Sequence, residues 1–367
     1  MKKLFTMVAM AFMAVCVNAQ SYELTGTTID NDTFDAIIAA AEDNAVEVIL
    51  PAGEISIALT GSEGAAASMT LPEGLSIKFT GASGDVKSVL SINKSILFNG
   101  THGYIRFENL TLTDGGSQYL FNQAKEANVD EISFTNCEFK NFDRSLIRTQ
   151  GEVNITIKEF LVDNCIGTNL SSGNGYSVFY FGTATTTIDK LEIKNSTFDT
   201  TQRSFIEASK SAINNGITIS DCTFYNNVAD GRYLIDANGQ STNINLTNII
   251  LGKSYVDSAK GIRTAGTITN TNSLRTSDCI YKSNDIKELP VGDKTSTEIF
   301  TDPENHDFTL LIGDKIGDPR WYNPSAPSGV SSVKAEKANA ASYNLGGQQV
   351  KSSAKGLVIK NGKKIAQ

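Results

Sequence analysis

Between residues 105 and 281 apolar side chains recur at every second position in short bursts, and each burst closes on a polar residue before the alternation changes phase. Ile105 and Phe107 lead to Asn109, Ile132 and Phe134 to Asn136, Leu191 and Ile193 to Asn195, Ile217 and Ile219 to Asp221, and Ile244 and Leu246 to Asn248. Ile155 and Ile157 align in the same way on Glu159, and a looser last copy closes on Asp278. Period-two alternation predicts strands with one buried face. A strand repeat of about 27 residues predicts an all-β solenoid, a parallel β-helix, in which every coil belongs to one domain.

After the polar position the next inward candidates are Cys137 and Phe139, Ser196 and Phe198, and Cys222 and Phe224, so the parity switches there. A bend explains the switch, because Asn tolerates the left-handed backbone of a corner and stacked amides can bond up the solenoid. The Asn and Asp column is therefore assigned as an inward structural ladder, which Glu159 breaks.

A second strand recurs after each bend, with Phe121, Ile147, Phe179, Ile206, Ile235 and Ile262 assigned inward. Arg148, Tyr180, Glu207, Asp236 and Arg263 then form one outward column, and Arg144, Tyr176, Arg203 and Arg232, four residues earlier, form another. Leu120, Leu146, Val178, Phe205 and Leu234 fall between them as an apolar stripe. Such a stripe means that something covers the face or that the chain already turns a corner there. Residues 169–175 look like a loop inserted into one coil, where solenoids often place binding segments.

Residues 1–19, with Lys2 and Lys3, an apolar stretch and Ala19 before Gln20, predict a cleaved signal peptide and an exported protein. Val15 before Cys16 speaks against a lipoprotein signal. No later stretch is long enough to form a transmembrane helix. Asn31, Asp32 and Thr33 predict the start of a capping helix running to Asp43, before the domain proper; the β-helix domain with its cap is placed at 20–322, a linker at 323–342, and a small C-terminal β tail at 343–367. The tail offers two short strands around a turn, too few to fold stably alone.

Export invites disulfides, but the rungs argue otherwise. Cys137, Cys222 and Cys279 share the position after the corner with other rungs between them, about 10 Å apart at the least. Cys165 falls in the coil next to Cys137 but several residues further along, so all four are assigned as buried, unpaired thiols. A net charge of −8 and a pI of about 5.0 argue against nucleic acid as a partner.

The rungs, the helix before them and the turn at 50–53 resemble the right-handed, single-stranded parallel β-helix proteins of the pectate-lyase-like superfamily. Through the rungs and residues 316–321 the chain is similar to uncharacterised secreted domains of that superfamily linked to bacterial polysaccharide utilisation, over residues 30–322. The tail, through residues 345–348, 356–359 and 361–363, resembles the sorting segments of the type IX secretion route. That implies delivery to the outer-membrane surface or the medium.

The superfamily holds lyases, hydrolases, esterases, adhesins and inactive binders, so chemistry must be sought in the residues. Hydrolases of this fold need an Asp-Asp pair and a nearby His. The chain has no Asp-Asp dipeptide, and its two histidines, His102 and His306, lie outside the central rungs. Lyases need an Arg or Lys base, for which Arg148, Arg263 and Lys210 are available, and acidic residues holding calcium. No acidic lyase motif accompanies them; no cofactor is identified, and a calcium site assembled from distant residues stays open.

Two site hypotheses remain. Glu207 and Asp236, on consecutive coils about 5 Å apart, match the carboxyl separation of retaining glycosidases, with Arg148 and Arg263 in the same column. The competing reading is an exposed ladder of opposite charges. Alternatively Arg144, Tyr176, Tyr180, Arg203 and Arg232 form a glycan-binding face, since guanidinium pairs with carboxylate and tyrosine stacks on sugar rings. The expectation is a secreted or cell-surface β-helix, monomeric, that binds or presents acidic polysaccharide without catalysis. The alternative is a polysaccharide lyase or glycoside hydrolase acting on uronate-containing polysaccharide, and the third is a structural adhesin.

Overall fold

A computed structural model describes residues 20–326, apart from positions 174 and 230, and four C-terminal strands within 342–366. The signal peptide and most of the linker expected from sequence lie outside the described residues. Three parallel sheets share the coils. The first runs from Gln20–Glu23 to Ile268–Thr271, the second from Thr28–Ile29 to Leu274–Arg275, and the third from Met69–Thr70 to Lys260–Thr264. Each strand pairs with its counterparts in the coils before and after, which makes the protein a parallel β-solenoid.

The register stacks like on like. Phe107 pairs with Phe134, Phe134 with Val162, Val162 with Ile193, Ile193 with Ile219, and Ile219 with Leu246. The rings of Phe79, Phe107 and Phe134 form a face-to-face column with centroids 5.3 Å apart at each step. These side chains are almost fully buried, and each such burial stabilises the fold by about 1.5–3 kcal/mol.

Two rungs sit elsewhere than their sequence alignment. In the strand Ile155–Asp163 the residues matching Ile132 and Phe134 are Phe160 and Val162, and the corner falls at Asn164, φ 55°, instead of Glu159. The nine-residue strands of this sheet carry two apolar pairs with a change of phase between them, and the alignment took the first pair for the second. Glu159 is an outward strand residue bonded to Lys190 at 3.0 Å. The last corner is Asn272, φ 50°, and Asp278 instead accepts the Ser296 amide at 3.0 Å.

The corner column also points along the edge and not inward. Asn136 is exposed and donates to Asn109 at 2.8 Å, Asn164 donates to Asn136 at 3.3 Å, and Asn248 to Asp221 at 2.9 Å. Left-handed backbone at each of these positions turns the side chain out of the core and toward the next coil. A second ladder that the rungs did not announce lies at the other end of the second sheet. There Asn141, Asn169, Thr200 and Asn226 have positive φ, with Asn169 donating to Asn141 and Asn226 to Thr200, both at 3.0 Å.

Because Asn164 is the true corner, Cys165 stands directly above Cys137 and not further along the coil. Ser196 and Cys222 follow in the same column, whereas Cys279 lies outside it, since Ser273 follows the last corner. All four are buried free thiols.

The helix Asn31–Ala39 is capped by Asp30, which accepts from the Thr33 amide at 2.9 Å, and ends short of Asp43; its Phe34 and Ile37 join the core. At the far end, residues 296–322 run back across the outside of the second sheet and enclose a second apolar cluster with Tyr225 and Ile250. Asp318 accepts from Thr197 at 2.7 Å, and the Trp321 indole donates to the same hydroxyl at 2.7 Å. The C-terminal strands, Ser342–Asn344, Gln349–Val350, Leu357–Lys360 and Lys363–Ala366, form an antiparallel four-stranded sheet, more than the two strands expected.

Candidate glycan-binding face on the third sheet

The third sheet holds the outward column as the sequence placed it. Asn122 pairs with Arg148, Arg148 with Tyr180, Tyr180 with Glu207, Glu207 with Asp236 and Asp236 with Arg263. The apolar stripe is resolved as a corner. Leu120, Leu146, Val178, Phe205 and Leu234 are buried in the core, and Phe205 packs on Phe198 of the second sheet with centroids 4.5 Å apart. The chain therefore turns between the two outward columns, and nothing needs to cover them.

Arg144 and Arg148 nevertheless converge, around a residue not singled out from sequence. The Tyr119 hydroxyl, on an almost buried ring, accepts from Arg144 Nη1 at 2.8 Å and from Arg148 Nη1 at 3.4 Å. The Arg148 guanidinium lies 4.1 Å from the Tyr176 ring centre, Tyr176 meets Tyr180 edge to face at 5.1 Å, and Tyr119 is 6.0 Å from Tyr176. Two guanidiniums, Tyr176 and Tyr180 thus share one surface above the nearly buried ring of Tyr119. The bond to Tyr119 holds the Arg144 pKa above its ordinary value, while burial, and then the charge of Glu207, raise Tyr180. Arg148 Nε is buried without a hydrogen-bond partner among the described residues. The segment after Leu170 is tied beside the site: Ser171 donates to the Arg144 carbonyl at 2.7 Å, and Gly173 to that of Asp143 at 2.8 Å. Asn169 and Leu170, expected in that loop, belong to the strand Ile166–Leu170.

Further along, the carboxylates are engaged. Arg263 grips Asp236 through two bonds of 3.0 and 2.5 Å and stacks on Tyr233 at 4.4 Å, with Lys260 on the same ring at 4.9 Å. Glu207 accepts from the Ser177 hydroxyl at 2.7 Å. The two acids are register neighbours, yet each is turned to a different partner. Arg203 and Arg232 stand on the same side, and burial, then the charge of Arg232, lower the Arg203 pKa. Tyr119, Tyr233 and Lys260 were missed because each opens a strand whose next positions read as core, and Ser177 because it lies just before the strand Phe179–Phe181.

The other outward faces differ. On the first sheet Lys78 bridges Glu47 and Glu108 at 3.2 and 2.6 Å, Arg106 meets Glu131 and Lys190 meets Glu192. On the second, Lys87 and Lys140 hold Glu138 at 2.8 and 2.6 Å. Those basic groups are spent on carboxylates, whereas Arg144 and Arg148 meet tyrosine and amide oxygens. His102 is buried between the carbonyls of Leu75 and Asn99, and exposed His306 bonds Asp199, both away from this face. Lys210 is exposed beyond Glu207. No group of three or more His, Cys, Asp or Glu side chains able to hold a metal occurs among the described residues. Among them too, no helix is long and apolar enough to cross a membrane.

Fold and face define a parallel β-solenoid bearing a basic, tyrosine-rich surface. Residues 61–201 match the family model DUF4957 and residues 217–321 match DUF5123, each described as a domain of unknown function. Neither a curated protein nor a solved structure matches the chain.

Proposed function

We propose that the protein is an exported β-solenoid of the pectate-lyase-like kind that binds anionic glycan, a uronate-containing polysaccharide, on the third sheet. The observation that carries this reading is the convergence of Arg144 and Arg148 on Tyr119 and Tyr176 without an ion pair among the described residues. Guanidinium offers a planar fork to a carboxylate, and tyrosine rings cover the apolar face of a pyranose while keeping a polar edge in water. Half-burial strengthens such bonds relative to those of a fully solvated lysine. The carboxylates of Glu207 and Asp236 are tied to Ser177 and Arg263, which supports binding over glycosidase chemistry.

A polysaccharide panel tests the proposal, scored for retention on immobilised protein, released reducing ends and uronate double-bond absorbance. Retention of uronate chains without product is expected. Product from any uronate chain would replace the binder with the lyase or hydrolase alternative, and the absence of both retention and product for every anionic chain would remove both readings.

A further inference from the structure

One column of the core carries chemistry that the glycan face does not use. Cys137 and Cys165 follow the corner asparagines on consecutive coils, and the register is fixed on both sides of them. Before them Thr135 pairs with Asp163 and Asn164 donates to Asn136; after them Glu138 pairs with Ile166, whose amide donates to the Cys137 carbonyl at 3.0 Å. One coil step in a parallel sheet separates Cα atoms by about 4.8 Å. That lies inside the ~4.4–6.8 Å a disulfide spans. Cys222 is two coils from Cys165, with Ser196 between, at about 10 Å. Cys279 lies outside the column, where Ser254 donates to its sulfur at 3.9 Å. Of the four cysteines among the described residues, one pair is within bridging reach.

We infer that Cys137 and Cys165 form a disulfide site that staples consecutive coils when an oxidant of the disulfide class is present. The two cysteine S–H bonds and the oxidant's S–S bond break while one new S–S bond forms; the two electrons and the two protons the cysteines give up pass to the oxidant's sulfurs, which leave as two thiols. In the structure both residues are thiols, Cys137 donating to the Phe107 carbonyl at 3.4 Å and Cys165 to that of Phe134 at 3.5 Å. Their full burial excludes a bulky oxidant from the closed coil, so the bridge forms while the coil is open, during folding or local unfolding. Burial also pushes the Cys165 thiol up, which keeps the closed form unreactive. A bridge holds Cβ atoms about 3.5–4.5 Å apart, closer than one coil step, so it draws the corner together. That strain makes the bond easier to reduce than a relaxed one.

The test equilibrates the full chain in glutathione buffers of rising oxidation, with denaturant just below the unfolding transition. Samples are quenched with acid, alkylated under full denaturation and mapped by mass spectrometry. Alkylation of Cys137 and Cys165 is expected to disappear together, with a cross-linked peptide joining them, while Cys222 and Cys279 stay alkylated. Cys222→Ser should keep the bridge, and Cys165→Ser should leave Cys137 alkylated throughout. Persistence of alkylated Cys137 and Cys165 in the most oxidising buffer, or a bridge that includes Cys222 or Cys279, would overturn the assignment.

Discussion

A single amide, repeated coil after coil, sets where the chain turns. Asn136 has φ 55° and both donates to the coil before it and accepts from the coil after it. Left-handed backbone costs an ordinary L-residue about 1–2 kcal/mol, and loss of the two ladder bonds adds to that. Asn136→Ala is therefore expected to lower unfolding free energy by about 2 kcal/mol in denaturant titration, and Asn136→Gly by less, because glycine removes the backbone term. Equal losses in the two variants would show that the backbone conformation is not what the asparagine supplies. The corner was legible in the sequence because Asn is among the few side chains that tolerate it. Its position in the third rung was not, because Ile157 and Val162 are equally good inward residues on one strand.

Glu138 gives the residue scale a pH signature. Burial raises its pKa, but bonds and charges from Lys140 and Lys87 outweigh burial and bring it down to about 2 from the ordinary 4.5. The folded state binds this proton less readily than the unfolded chain. Its contribution is thus complete above about pH 4.5 and is lost as pH falls through about 2. Glu138→Gln should flatten the acid limb of the stability profile across that window. An unchanged limb would mean that the lysines do not hold this carboxylate in solution.

At the scale of elements, the sequence showed the strands of the third sheet and their register but not how the chain bends between the columns. Leu120 and Phe121 are adjacent and both buried, which alternation forbids and a corner permits. That corner brings Arg144 beside Arg148 over Tyr119. The strap at 296–322 was equally hard to foresee, since its contacts with Thr197, Thr223 and Tyr225 span about four coils of sequence and follow no local period. Phe308 is its buried anchor, against Tyr225, Phe300 and Trp321. Phe308→Ala should cost about 3–5 kcal/mol of strap stability. Hydrogen exchange would register this as lost protection in the strap strand Asp307–Leu310, with the first sheet unchanged. Uniform loss across all three sheets would show that strap and solenoid unfold as one unit.

At the scale of the whole molecule, a chain of net charge −8 sets Arg144 and Arg148 together on one face without an ion pair among the described residues, while basic groups on the first two sheets are neutralised in ladders. Composition argued only against nucleic acid or anionic membrane as a general partner; the convergence of Arg144 and Arg148 is a local departure from that average, because net charge averages over faces a ligand never touches. The measurement that bears most directly on this account is the affinity of an oligouronate by titration calorimetry. It compares the unaltered protein, Arg144→Ala with Arg148→Ala, and Lys158→Ala on the first sheet as a control. The account predicts salt-weakened binding that falls at least tenfold in the double variant, as expected for loss of charge-assisted bonds, and stays within about twofold in the control. Equal affinity in the double variant and the unaltered protein would contradict it.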